Sequence, residues 1–168
     1  MKRYVLSALA ISLLMISGAR SARAQFPAFN DADTRELQAF QLNDGLVDHY
    51  RDATIAYSQY AKAHAIKDPV DDAPVPKGHE LTLTEMANGM AKAPQFEATL
   101  RSKGITPRQY IETMIILTAG LAGVDMEREG QIKVKPSPAL SAANLQYIKQ
   151  HHDHLEEVLK SLASLGDQ

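Results

Sequence analysis

Apolar residues recur at three- and four-residue steps through much of this 168-residue chain, which is the period of an α-helix. The longest such stripe lies over 141–165, where Leu145, Ile148, His152, Leu155, Leu159 and Leu162 alternate steps of three and four, widened by Val158. It runs for under four heptads, which suits the seam of a bundle rather than an extended coiled coil. A second helix is expected over 44–66, with Asn43 as its N-cap. Leu46, Val47, Tyr50, Ala53, Thr54, Tyr57 and Ala61 fall on one face, and Asp48, Arg51, Asp52, Gln59 and Lys62 on the other. Residues 110–124 are apolar nearly all the way round, so that helix belongs in the middle of the fold. Ala119, Gly120, Ala122 and Gly123 there would let neighbours come close, while Glu112 and Thr118 interrupt it.

Local signals mark where these helices start and stop. Thr82 and Glu85 have the spacing of a capping box, opening a short helix that runs to about Lys92. Pro94 suits the first turn of another short helix, which Gly104 would end. Thr106 as N-cap, Pro107 at the first helical position and Gln109 as box partner restart the chain, and Gly130 closes the buried helix. Pro136 and Pro138 sit in the link over 131–140, and residues 67–80 carry three prolines and a glycine without any period, which reads as a loop. Residues 25–43 read as an N-terminal transition segment, with a short helix over about 34–40. The prediction is an all-α protein, a single helical domain over 44–165. Two long amphipathic helices pack around a buried apolar helix, with short connecting helices between.

The first 24 residues read differently. Lys2 and Arg3 precede an apolar run from Val5 to Ala19, and Ala22-Arg23-Ala24 offers a small-x-small cleavage pattern before Gln25. The run is about 15 residues, short of the roughly 20 that a membrane span needs. A signal peptide over 1–24, cleaved after Ala24, implies a periplasmic or secreted protein of bacterial type, with no stable membrane anchor afterwards. The leader carries Lys2, Arg3, Arg20 and Arg23 and no acid, so its removal takes the formal charge from −2 to −6. Such an acidic surface argues against a nucleic-acid partner. The chain has no Cys, which excludes disulfides, thiolate metal sites and covalent haem through C-x-x-C-H.

From Leu81 to about Ala163 the chain resembles a family of uncharacterised secreted bacterial all-helical proteins. The resemblance rests on the segment from Met86 to Pro94, on Gly104-Ile105-Thr106-Pro107-Arg108-Gln109-Tyr110, and on Ser141-Ala142-Ala143-Asn144-Leu145-Gln146-Tyr147. It implies export and a helical fold, and it assigns no catalytic residue. Ile105-Thr106-Pro107-Arg108-Gln109 also looks like the L-T-x-x-Q motif of periplasmic stress chaperones, although helix capping accounts for the same residues.

Candidate chemistry is sparse. The chain holds no E-x-x-H, H-E-x-x-H, G-x-S-x-G or P-loop pattern, so no catalytic residue is assigned. In the run His151-His152-Asp153-His154, His152 falls in the leucine stripe, His151 at its edge, and Asp153 and His154 outside it. His152 with Glu156 one turn on, joined by His49 or His64, is the available metal set, and non-covalent haem could draw on Met86, Met90, Met114 and Met126. Without such a set no cofactor is called for, and His152 is a partly buried residue hydrogen-bonded to a neighbour. Tyr50, Tyr57, Tyr60, Tyr110 and Tyr147 could line a ligand groove between helices or fill the core with their hydroxyls at its edge. Asn144, one turn into the last helix, could cap, anchor the preceding proline-rich link or bind a ligand. The functional expectation is an exported, non-enzymatic helical protein that binds a protein partner or small apolar ligand in an inter-helix groove, with a metal- or haem-binding bundle as the alternative.

Overall fold

Five of the six helices among the described residues begin where a side chain takes up free amides of the first turn. The computed structural model describes residues 29–66 and 82–165. The expectations for the leader over 1–24 and the loop over 67–80 lie outside the described residues. Asn30 caps α1 (Asp31–Ala39) by accepting from the Ala32 and Asp33 amides, and Asn43 caps α2 (Asp44–Ala63). Thr82 and Glu85 form the expected capping box at α3 (Leu83–Ala91). No side chain caps α4 (Pro94–Ser102), whose first residue is a proline with no amide to satisfy. Thr106 and Gln109 close the second box at α5 (Pro107–Arg128), and Ser141 caps α6 (Ala142–Ala163).

Two helices stop on a left-handed glycine. After α4, Gly104 has φ +74°, Ile105 donates back to Leu100, and both apolar residues are buried together. After α5, Gly130 has the same φ, and Gln131 donates to Met126.

The resulting fold is all-α, a small helical bundle. Helix α5 occupies its middle, with Ile111, Ile115, Ile116, Leu117, Leu121 and Val124 buried, and it packs most extensively against α6 and α3. The approach of α6 depends on absent side chains: a Cβ at Gly120 would stand 2.1 Å from Ile148 Cδ1. Gly123 makes similar room for Val134. The α2 stripe is close to expectation, with Val47, Tyr50, Ala53, Thr54 and Ala61 buried, and Ser58 buried in addition. Leu46 and Tyr57 are only half-buried.

The N-terminal segment does more than lead in. Its helix begins three residues earlier than expected because Asn30 caps it, and Leu37 and Leu42 join the same core as the other helices. The boundary drawn at residue 44 therefore cuts through one core. Side chains reaching backbone hold the segment in place. Asn144 is 1% exposed; its Oδ1 accepts from the Leu42 amide at 2.9 Å and its Nδ2 donates to the Phe40 carbonyl at 2.8 Å. It neither caps α6 nor anchors the 131–140 link. Gln38 instead donates to the carbonyls of Ser137 and Pro138, in the tight turn before α6.

Candidate functional site

Two clusters of charged side chains stand out, and α5 contributes to both. At its N-terminal end, Arg108 forks onto Glu36 of α1, with Nε to Oε1 at 2.7 Å and Nη2 to Oε2. The same guanidinium donates to Thr84 Oγ1 of α3 at 3.1 Å and approaches Asp33 at 3.5 Å. Asp33 is itself buried; it accepts from Asn30 and, at 3.0 Å, from the Leu83 amide, placing a carboxylate on the positive end of α3. Beneath lies Glu112, one turn along α5 from Arg108 and 3% exposed. Burial, the charge of Glu36 and a hydrogen bond to Glu36 push the Glu112 carboxyl up to about 7, against a smaller pull from Arg108. Glu36 moves the other way, held below its usual range by its bond to Arg108.

At the C-terminal end of α5, His152 reaches across from α6. Its Nε2 lies 2.6 Å from Asp125 Oδ1, and its Nδ1 faces both Asp153 Oδ1, at 2.9 Å, and the Arg128 guanidinium. A neutral imidazole accepts from Arg128 at Nδ1, whereas a charged one donates there to Asp153. Burial pulls the imidazole pKa down, but the bonds to Asp153 and Asp125 outweigh burial and Arg128, leaving it above the usual value. Arg128 also pairs with Asp153 at 3.0 Å, and Lys149 with Glu127 at 2.5 Å. Glu127, Arg128, Lys149, His152 and Asp153, with His151 and His154, border an open recess of about 510 Å³.

The tyrosines do not assemble into one groove. Tyr50 and Tyr110 are buried with ring centres 4.8 Å apart, and Phe96 packs edge-on against Tyr110 and beside Tyr57. The Tyr110 hydroxyl bonds Thr54 Oγ1 at 2.9 Å. Tyr60 stacks on His64 at the end of α2. Tyr147 stacks on His151 and donates to Asp44 at 2.7 Å; burial, and after it that bond, raises its phenol well above the ordinary range.

The histidines scatter likewise. His64 bonds the Tyr60 carbonyl, His49 packs beside Gly104, and Glu156 pairs with Lys160 rather than with His152. Among the described residues no group of three or more His, Asp or Glu side chains could hold a metal ion. Met86, Met90 and Met114 pack against the core. No described helix is long and apolar enough to cross a membrane.

The Glu36–Arg108–Glu112 cluster was not expected. Its one signal in the sequence is an acid standing alone in the apolar stretch after Tyr110. No protein-family model matches this chain, and no curated protein or solved structure matches it either.

Proposed function

We propose that this is an exported, non-enzymatic helical binding protein that takes a small anionic ligand in the recess between α5 and α6. Export rests on residues 1–24 and on the resemblance to secreted bacterial helical proteins. The observation that carries the binding reading is the gathering of Arg128, Lys149, His151, His152 and His154 around one concavity of an otherwise acidic chain. With its imidazole protonated, His152 joins Arg128 and Lys149 as a third cation beside Glu127 and Asp153. Asp153 is 86% exposed, so a ligand carboxylate or phosphate could take its place on Arg128 and His152 at little cost in burial.

An apolar ligand is less well served. Tyr50 and Tyr110 are spent on the core, and Ile132 is the one large apolar residue exposed among the described residues, at 46%. Calorimetric titration with inorganic phosphate and with succinate at pH 5.5 and pH 8 tests the proposal. Binding of either at pH 5.5, weaker by about tenfold or more at pH 8 and lost in Arg128→Ala, is the expected result. Absence of binding to both at pH 5.5 would overturn it.

A further inference from the structure

We propose that α1 is a proton-controlled clasp: it stays docked while Glu36 and Glu112 hold one proton between them, and it loosens when both carboxylates are charged. The argument begins with charge and burial. Three carboxylates, those of Asp33, Glu36 and Glu112, meet one guanidinium, Arg108, at the contact of α1, α3 and α5. Arg108 already spends its fork on Glu36. Asp33 is compensated by the Leu83 amide at the start of α3. Glu112 is buried and hydrogen-bonded to Glu36, and Arg108, its fork taken by Glu36, offsets the charge of Glu112 only in part.

A hydrogen bond between two carboxyl groups requires a proton on one of them. Glu36 stays ionised on Arg108, so the proton sits on Glu112. Its loss to solvent converts a hydrogen bond into a repulsion between like charges, one of them buried. The charged groups that act on Glu112 are Glu36 from α1 and Arg108 from its own helix; Asp33 of α1 and the Thr84 hydroxyl of α3 meet the same guanidinium, and the Leu83 amide of α3 binds Asp33. Glu85, the acid in the first turn of α3, is engaged with Thr82.

The sign follows from linkage. Glu112 has a folded pKa of about 7 against an ordinary value of 4.5, so its penalty is absent below pH 4.5 and fully present above pH 7. The contribution of Glu36 is the reverse, present above its ordinary pKa and lost as pH falls through its lowered folded value. Helix α1 is therefore held best in mild acid. The load falls on α1 because Leu37 is its one buried apolar residue and its further support comes from the Gln38 and Asp33 bonds and from Phe40 and Leu42 just beyond it, whereas α5 is anchored along its length by the core.

Amide hydrogen exchange on the full chain, corrected for intrinsic rates, tests this at pH 5.5 and pH 8.5. Protection of α1 should fall at least about tenfold at the higher pH while the centre of α5 keeps its own. Glu112→Gln should remove the pH dependence in α1. Carbon NMR titration of the wild-type glutamate carboxyls provides a readout that needs no variant, and one should titrate near pH 7. Unchanged α1 protection, an equal loss throughout α5, the same dependence in Glu112→Gln, or no glutamate titrating above pH 6 would each overturn the clasp.

Discussion

Asn144 satisfies two backbone groups of a segment more than a hundred residues away, and it does so where water has no access. Replacing it with Ala leaves the Leu42 amide and the Phe40 carbonyl without these partners, at a cost of about 1 to 3 kcal/mol. Urea denaturation of Asn144→Ala should show that loss as a lower midpoint with an unchanged slope. The oddity of an amide in the first turn of a helix was visible in the sequence, but its partners were not. A single chain read for helical period reports neighbours three and four residues apart, so capping of the helix and anchoring of the nearby 131–140 link were the local alternatives beside ligand binding. Glu112 shows the same limit more sharply. It could be seen as an interruption in an apolar helix, yet Glu36 and Arg108 meet only through the packing of α1 on α5.

Helix ends were legible because capping is local. Thr82 with Glu85 and Thr106 with Gln109 are pairs three residues apart, and both close as the spacing implies. In the stretch that looks like the chaperone motif, Thr106 and Gln109 are used by the box and Arg108 by Glu36. The end of α2 escaped notice because it lacks the usual residue. Ile66 donates to Ala61 in the same manner as at the glycine-ended helices, but the left-handed position is Ala65, at φ +48°. An alanine there costs about 1 kcal/mol relative to glycine. Ala65→Gly should therefore stabilise the protein by about that amount and raise Tm by about 3 °C in a calorimetric scan.

For the fold taken together, His152 adds a second dependence on proton concentration. Its folded pKa is raised, so the stability it supplies is complete below the ordinary histidine value of about 6.5 and is lost as pH rises through the folded value. The penalty at Glu112 is already complete above pH 7. A decline in Tm from pH 7 to pH 9 that is steeper in wild type than in His152→Gln is the expected signature, and identical slopes would count against this role. The two devices sit at opposite ends of α5 and push the same way, so the bundle is firmest in mild acid, where the recess is also most positive.

The attachments of the N-terminal segment differ from ordinary packing in what they address. Asn144, Gln38 and Asp33 each reach the main chain of Phe40, Leu42, Ser137, Pro138 or Leu83. A carbonyl exists at every residue and an amide at every residue but proline. Mutational drift at the addressed positions would leave those bonds intact, while the three reaching side chains have few substitutes. The latch is thus written in one partner of each pair only, and a descendant could rewrite much of the surface around it without letting go.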